Sequence, residues 1–182
     1  LEIDSKRKLV FETNCYLGSR YSNQSIKKAI NKYKQKVQII NNKDYFNFAS
    51  EVLIKKKIIG WFQGAAEFGP RALGNRSILA SPNPSKIRDI INKNVKFRES
   101  FRPFAPAILE EHCTDYFKIA QKSEHMLIAC DIKPRMKKYI PATVHVDNTC
   151  RVQTVTSRSN EKFYNLLQSM YKKTKIPVLL NT

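Results

Sequence analysis

The sequence predicts an α/β (α+β) domain in which helices flank a twisted mixed sheet. Three observations indicate this class: apolar residues repeat at helical spacing in several segments, short apolar and β-branched runs lie between them, and the connections include both tight turns and crossover-length stretches. The chain has 182 residues and is 42% hydrophobic, which suffices for one packed domain of ordinary size. We therefore expect one globular domain.

Four segments carry a helical repeat of apolar residues. They are Ile26, Ala29, Ile30 and Tyr33 after a cap at Tyr21 and Ser22; Phe46, Ala49, Val52 and Leu53; Ile87, Ile90 and Ile91 after a cap at Ser85; and Phe163, Leu166, Leu167 and Met170. A shorter helical turn is predicted over residues 111–118.

Strands are predicted between these helices. The apolar and β-branched runs cover residues 37–40, 58–62, 77–80, 107–109, 126–132 and 177–180, and the run at 58–62 is expected to be buried. Residues 143–146 and 151–155 also favour strands, and Asp147, Asn148 and Thr149 between them are typical of a turn. A hairpin is therefore predicted there.

The net charge of the chain is +18, from 33 Lys and Arg against 15 Asp and Glu. Such a charge suits nucleic acid, anionic lipid or a phosphorylated small molecule. Most of the lysines fit solvated helix faces and turns. Arginines beside glycine, proline and small residues are different, because the planar guanidinium grips phosphate through two hydrogen bonds.

No metal, redox or membrane motif is visible. The isolated cysteines Cys15, Cys113, Cys130 and Cys150 are expected to be buried free thiols, and the scattered histidines His112, His125 and His145 are expected to be structural. No apolar run approaches the roughly 20 residues of a membrane helix, and the N-terminus has no signal-peptide core. The sequence therefore predicts no membrane partner and a cytoplasmic protein.

The segment EFGPRALGNRSIL, residues 67–79, is predicted to be a phosphate-binding loop. Gly64, Gly69 and Gly74 would let the backbone approach an anion with N–H groups pointing at it, while Arg71 and Arg76 supply charge. Pro70, Asn75 and Ser77 add stiffness and hydrogen-bonding groups. On spacing alone, a plain turn explains this pattern equally well.

A second basic passage follows at residues 95–106, within the segment VKFRESFRPFAPAIL (residues 95–109). Strand geometry would place Lys96, Arg98 and Arg102 on one face and Phe97 and Phe101 on the other. The stiff, apolar residues that follow favour an Arg102 side chain pointing into a cleft. An edge strand protected by surface cations is the alternative. Trp61 is expected to belong to the core rather than to stack on an adenine.

These motifs, with TVHVDNTCRVQTV at residues 143–155 and PVLLNT at 177–182, closely resemble the C-terminal domain of the carbamoyltransferase family. That family includes nodulation-factor and antibiotic O-carbamoyltransferases, tobramycin carbamoyltransferase among them. The resemblance is collinear from about Tyr16 to Thr182. It divides the chain into an N-terminal extension or linker (1–15) and the family domain (16–182), and implies that this domain is cut short at its C-terminal end.

The resemblance implies a fold similar to threonylcarbamoyl-adenylate synthase, the YrdC-like fold. It implies that the domain makes carbamoyl adenylate from ATP and carbamoyl phosphate, with Mg²⁺ sharing the phosphate charge. A preceding actin-like ATPase-fold domain, with a histidine-ligated iron-type metal, would then pass the carbamoyl group to a hydroxyl of an acceptor. Nothing in the 182 residues matches that preceding domain.

The resemblance also implies roles for individual residues. The expected catalytic cations are Arg71, Lys96, Arg102 and Arg151; the expected nucleotide-binding residues are Gly69, Gly74, Asn75, Arg76, Ser77, Arg98 and Asn181; and no metal ligand is expected. Asn181 opens an asparagine-threonine-serine-phenylalanine-asparagine stretch in the family, of which this chain has the first two residues. An incomplete nucleotide pocket is therefore expected.

Two other functions fit the sequence. The charge of +18 also suits a module that binds double-stranded RNA or nucleotide without catalysis. A docking domain whose nucleotide site has decayed would keep the fold and its contact with the preceding domain but bind no ligand.

Overall fold

A five-stranded mixed sheet forms the centre of the computed structural model, which describes residues 14–40 and 44–182. Its strands and those of a smaller sheet are β1 (Ile59–Phe62), β2 (Arg76–Ala80), β3 (Ala105–Leu109), β4 (Phe117–Lys118), β5 (Ala129–Ile132), β6 (Thr149–Arg151), β7 (Gln153–Val155) and β8 (Val178–Asn181). The large sheet has the order β1-β2-β8-β3-β7, antiparallel except between β3 and β7. The small antiparallel sheet has the order β4-β5-β6. The predicted α/β class with a mixed sheet is confirmed.

The helices follow the predicted apolar repeats. They are α1 (Asn23–Lys32), α2 (Tyr45–Ile54), α3 (Lys86–Ile91), α4 (Cys113–Tyr116) and α5 (Ser157–Thr174), with a π-helical turn at Asn92–Lys96 and 3₁₀ turns at Lys34–Lys36, Glu110–His112, Pro134–Tyr139 and Pro141–Thr143. The predicted cap at Ser22 is confirmed, because its side chain accepts a hydrogen bond from the Ser25 N–H. Ser85 precedes α3 without such a bond.

Helices α2 and α5 cover one face of the large sheet. Side chains alternate between the two faces of a strand, and Leu79, Ala107 and Leu179 share a buried cluster with these helices. Leu53 of α2 and Phe163 of α5 complete this cluster and are fully buried. Because burying one such side chain is worth about 1.5–3 kcal/mol, this layer anchors β2 and β8 in place.

The opposite face of the sheet is covered only in part. Ile87 and Ile91 of α3 pack on Ala80 and Leu180, and the small sheet with α4 packs farther along β3 and β8. Beyond α3, the surface of β1, β2 and β8 is left open. This open area becomes the floor of a cavity.

Two of the strand predictions differ from the structure near the N-terminus. Residues 37–40 are exposed and form no strand, since no strand of the described chain pairs with them to satisfy their backbone groups. The predicted strand at 58–62 exists as β1, but it lies at the edge of the sheet, and Gly60 and Phe62 are exposed. The expectation that it is buried was wrong.

The hairpin predicted over residues 143–155 is also wrong, although its turn is present. The Asp147 carboxylate accepts hydrogen bonds from the Thr149 N–H and hydroxyl, and Asn148 adopts a left-handed φ of 68°. Residues 144–146 form no strand, and β6 pairs with β5 instead. The predicted strand at 126–132 is shorter than expected and begins at Ala129 as β5.

Residues 95–104 of the second basic passage form no strand, and β3 begins only at Ala105. After the π-helical turn, Phe97 adopts a left-handed φ of 49° and reverses the chain. The fully buried Asn92 holds the returning segment, because its amide donates to the backbone oxygens of Ser100 and Arg102 and its side-chain oxygen accepts from Arg98 Nε. The segment is therefore a loop whose shape depends on one buried amide.

The cysteines are free, with Cys113, Cys130 and Cys150 buried and Cys15 half-buried. Burial is the main cause that raises the pKa of Cys130 to about 11. The predicted free thiols are confirmed. No helix among the described residues is long and apolar enough to cross a membrane. The predicted extension over residues 1–15 falls largely outside the described residues.

Candidate anion-binding site

A cavity of about 650 Å³ lies over the open part of the large sheet. Gly60 of β1 and Ile78 of β2 are paired in register, and Ile78 exchanges backbone hydrogen bonds with Thr182, which directly follows β8. All three residues line the cavity and form its floor. The sheet thus provides the base, and the walls come from two connecting segments and the end of β6.

The walls of the cavity are strongly cationic. The lining includes five basic residues and no Asp or Glu: Arg71, Arg76, Lys96, Arg98 and Arg151. Fixed positive charges that have no acidic residue among them repel one another, and a bound anion offsets this repulsion. The lining therefore indicates an anionic ligand.

Each wall has its own structural support. Arg71 lies on the long loop between β1 and β2, Lys96 and Arg98 lie on the turn after α3, and Arg151 is the last residue of β6. Arg98 is fixed by its bond to Asn92 at 2.8 Å and by stacking its guanidinium 4.8 Å from the Phe104 ring centre. Distant segments of the chain thus converge on one space.

The pKa values of two cavity residues are lowered by burial and by neighbouring cations. Burial, and then the neighbouring Arg98, lower the pKa of Lys96 from its ordinary value. Burial also lowers the pKa of Arg151, with further lowering by Arg71 and Arg98. Since like charges and desolvation both disfavour the charged form, a bound anion would relieve both costs.

Two of the guanidinium groups also have unmet hydrogen-bonding capacity. Nε of Arg71 and Nε of Arg151 are buried and have no hydrogen-bond partner among the described residues. None of the ion pairs found in the described residues involves Arg71, Lys96, Arg98 or Arg151. A buried, unpartnered donor is costly, and these donors match phosphate oxygens in chemistry.

Glu67 organises the loop that carries Arg71. Its Oε1 accepts hydrogen bonds from the backbone N–H groups of Leu73, Asn75 and Arg76 at 2.7, 2.8 and 3.1 Å. The Gly74 N–H donates to the Ser77 hydroxyl. The expectation that the loop's N–H groups receive the ligand is therefore wrong for these four, because the protein's own acceptors occupy them.

Asn181 is held by a second buried network at the edge of the cavity. Its Nδ2 donates to the Ala72 carbonyl and to Gln153 Oε1, and the Gln153 amide donates in turn to the Leu73 carbonyl. The two carbonyls fix the orientation of both amides, since a flipped amide would set oxygen against oxygen. Asn181 Oδ1 is left buried with no partner among the described residues.

The family model described as carbamoyltransferase C-terminus matches residues 50–182. This chain belongs to that family. The match begins in α2 and includes every residue of the cationic cavity.

The relatives of this chain include nodulation proteins. The chain is 37% identical to nodulation protein NolO of Bradyrhizobium diazoefficiens over 171 residues, which is 92% of this chain and 31% of that protein. It is 42% identical to nodulation protein U of Rhizobium tropici over 131 residues, 72% of this chain and 23% of that protein. It is also 39% identical to an uncharacterised protein of Methanocaldococcus jannaschii, of which it covers 28%. The chain thus spans less than a third of these relatives.

The carbamoyltransferase C-terminal domain brings most of the predicted site residues together. Those that line the cavity are Arg71, Arg76, Ser77, Lys96, Arg98, Arg151 and Asn181. They come from segments separated by up to 110 positions, between Arg71 and Asn181. The predicted roles of these residues stay predictions.

Arg102 is not among the residues that line the cavity. Its side chain is 53% exposed, and its Nε lies 2.8 Å from the Glu99 carboxylate. The prediction that Arg102 points into the cleft is therefore not met. The Asn92 amide turns the backbone at Arg102 so that Arg98 faces inward instead.

Four of the predicted residues, including the cavity-lining Arg76, have positions that the fold itself explains. The Arg76 guanidinium donates to the carbonyls of Gln63, Asn75, Ser19 and Gly64 and stacks 3.6 Å from the Phe62 ring centre, which leaves it little capacity for a ligand. Asn75 bonds Ala65 and Asn160. Gly74 has a φ of 104° and lies against the Phe163 ring. Gly69 has a φ of 129° and does not line the cavity.

Sequence reasoning missed Glu67 and Gln153. Glu67 directly precedes the glycine-rich stretch, and a loop with several free N–H groups needs a nearby acceptor, so its position was a usable signal. Gln153 sits in a β-strand and has no local signal, because its partners lie 80 and 28 positions away. Only the folded chain shows its role.

Anion binding to the cavity is expected to decrease with rising pH. A bound anion favours the protonated form of Lys96, so its pKa is higher in the complex than in the free protein. The affinity is therefore highest below the pKa of Lys96 in the free protein, which lies under 10.5. It falls as the pH rises through that pKa. Titration with pyrophosphate from about pH 7 to about pH 10 measures this decrease.

The Lys96→Arg variant is the control for this pH dependence. Its side chain keeps a positive charge throughout this range, so the affinity of the wild-type protein for pyrophosphate is expected to decrease with pH relative to that of the variant. The ionisation of pyrophosphate itself is common to both titrations. Equal pH dependence in both proteins would mean that another group, or the ligand, is responsible.

Proposed function

We propose that this chain is the carbamoyl-activating domain of an O-carbamoyltransferase, which binds ATP and carbamoyl phosphate and forms carbamoyl adenylate. The observation that carries the proposal is the cavity of about 650 Å³ whose lining has basic residues and no acidic ones. Both substrates are anions, and membership of the carbamoyltransferase C-terminus family supplies the carbamoyl chemistry. Overall, carbamoyl phosphate, ATP and water would yield carbamoyl adenylate, pyrophosphate and phosphate.

The basic residues of the cavity would supply catalysis mainly by charge. Forming carbamoyl adenylate brings two anions together and builds charge on phosphoryl and carbonyl oxygens. Arg71 and Arg151 would clamp planar oxygen arrangements, and Lys96 would act as a compact point charge. Cations that are already oriented lower such a barrier without reorganising. This scheme requires no nucleophilic side chain.

The cavity lining fits the phosphates of ATP better than it fits a resident metal. No carboxylate lines the cavity, and among the described residues no group of three or more His, Cys, Asp or Glu is placed to hold a metal. Mg²⁺ would therefore enter as part of the nucleotide, held by phosphate oxygens and water.

The rest of the proposal concerns the longer protein. Relatives such as NolO are more than three times the length that the chain covers. We propose that a preceding actin-like ATPase-fold domain receives the carbamoyl group and passes it to a hydroxyl of a small-molecule acceptor. We also propose that the present domain has the YrdC-like fold, consistent with its twisted mixed sheet and flanking helices.

Isothermal titration with ATP and with carbamoyl phosphate tests the proposal. Arg71→Ala and Lys96→Ala are each expected to weaken binding about ten-fold or more, since each removes a charge-assisted contact worth about 1.5–3 kcal/mol. Arg135→Ala is the matched control, because Arg135 is exposed on the 3₁₀ turn Pro134–Tyr139 and does not line the cavity. Undiminished binding in both cavity variants would contradict the residue assignments.

Arg102→Ala distinguishes the position seen in the structure from the role implied by family resemblance. If Arg102 acts only in its surface pair with Glu99, binding should change less than about two-fold, because exposed pairs contribute little. A ten-fold loss would mean that Arg102 turns inward when ligand is bound.

RNA binding is the competing outcome of the same experiments. An RNA backbone releases many counterions, so its affinity falls steeply with salt, whereas one nucleotide gives a shallow slope. A steep salt slope for duplex RNA, with no competition from ATP, would favour the RNA-binding alternative over the proposed enzyme.

A further inference from the structure

Gly60 lies in the interior of β1, where the fold gives no reason for a glycine. Glycine inside a strand is destabilising, because it loses more conformational freedom than other residues and has no side chain to pack. Its φ is not among the positive values, so the backbone would accept any residue. A Cβ atom at this position would meet no other atom within 4 Å. Neither backbone strain nor crowding explains the residue.

The space above Gly60 belongs to the cationic cavity. Gly60 lines the cavity and is paired with Ile78, which also lines it. Phe62 lies two residues along β1 and therefore on the same face, where Arg76 stacks on its ring at 3.6 Å. The result is a flat strip of backbone and apolar surface beside the basic walls. A glycine in a strand commonly marks a place where a ligand approaches the backbone closely.

We propose that the strip formed by Gly60 and Ile78 is the platform for the planar ring of a phosphorylated ligand, with Phe62 at its edge. The ring would be the base of the nucleotide, and its phosphates would extend toward Arg71, Lys96 and Arg151. A planar ring in van der Waals contact needs a separation of about 3.5–4 Å from the strand, and a side chain at position 60 would occupy that layer. This inference rests on the proposed nucleotide binding and specifies which end of the ligand lies where.

The distribution of charge in the cavity supports this orientation of the ligand. The charged residues Arg71, Lys96, Arg98 and Arg151 come from the loops and from β6, away from β1. The lining residues on β1 and β2 carry two polar side chains: the Arg76 guanidinium is already bonded to backbone carbonyls, and the Ser77 hydroxyl accepts from the Gly74 N–H. A ligand with one anionic end and one planar, weakly polar end matches this division.

Comparing ATP with inorganic tripolyphosphate in wild-type protein and in Gly60→Leu tests the platform. Tripolyphosphate carries a similar anionic chain but no base. We expect Gly60→Leu to weaken ATP binding about ten-fold or more, because base stacking is lost, and to leave the tripolyphosphate affinity unchanged. The variant is expected to fold, since nothing lies within 4 Å of the added Cβ and the rest of the leucine side chain would extend into the cavity that Gly60 lines.

Two further variants keep the test decisive if Gly60→Leu folds poorly. Gly60→Ala adds a single methyl group and is expected to weaken ATP binding by a smaller factor, about three-fold. Phe62→Ala removes a side chain that is 59% exposed, so it should spare the fold while weakening ATP but not tripolyphosphate. Thermal unfolding of each variant verifies that it is folded.

The outcomes separate this inference from the proposed function. Wild-type protein that binds neither ATP nor carbamoyl phosphate would overturn both. Wild-type protein that binds ATP, with unchanged ATP affinity in the folded Gly60 and Phe62 variants, would leave nucleotide binding intact and overturn the platform. Equal losses for ATP and tripolyphosphate would also overturn it, because the added side chain would then affect the phosphates rather than a ring.

Discussion

Replacing Glu67 with alanine is expected to destabilise the protein by about 3 kcal/mol and to abolish the shape of the loop that carries Arg71. The Glu67 carboxylate accepts hydrogen bonds from the N–H groups of Leu73, Asn75 and Arg76. Hydrogen bonds to a charged group contribute about 1.5–3 kcal/mol each, and partial access of water reduces the sum. Urea unfolding measures the loss of stability, and titration with ATP measures the accompanying loss of binding.

Two other variants sharpen this prediction. Glu67→Gln keeps an acceptor oxygen but removes the charge, so an intermediate loss of about 1–2 kcal/mol is expected. Glu51→Ala removes an exposed carboxylate paired with Lys173, which should cost less than about 1 kcal/mol. If Glu67→Ala is no less stable than Glu51→Ala, the carboxylate does not hold the loop.

Replacing Gly74 with alanine is expected to cost about 3 kcal/mol or more. Gly74 has a φ of 104°, which residues with a Cβ rarely adopt, and its Cβ would lie only 2.6 Å from Cγ of Phe163. Phe163 is fully buried between α5 and the sheet and has no room to move. Backbone strain and overpacking therefore add together in the free energy of unfolding.

Gly69→Ala is the matched control for Gly74→Ala. Gly69 has a comparable φ of 129°, but a Cβ there would meet nothing within 4 Å. Its substitution should show only the backbone strain, about 1–2 kcal/mol. The difference between the two variants measures the clash with Phe163. Equal stability losses would be inconsistent with that clash.

The site was predictable in its chemistry but not in its geometry. Arginine near glycine, proline or small residues singled out Arg71 and Arg98, which line the cavity, but also Arg102, which does not. Arg151 was indicated only by the resemblance to the family. Whether a given cation faces inward depends on the path of the backbone. That path follows from specific hydrogen bonds that residue type does not reveal, such as the one from the Asn92 amide to the Arg102 carbonyl, ten positions away.

Secondary structure shows the same difference between what the local sequence determines and what only folding decides. The sequence by itself determined α2, α5 and β8, since an apolar stripe or a fully apolar run has one stable way to bury itself. It did not determine pairing: residues 37–40 have strand composition but no partner, and β6 pairs with β5 rather than with residues 143–146. Strand pairing is a long-range choice that local composition does not encode.

For this protein, the sequence determined the α/β class, the principal helices, and which cations are available to a binding site. The tertiary structure alone decided that Glu67 occupies the loop's N–H groups, that Arg102 stays at the surface, and that Gly60 opens the floor of the cavity. The physical reason is the distance along the chain over which each effect acts. Periodicity and residue chemistry act within one element, whereas a cavity is defined by segments that meet only after folding.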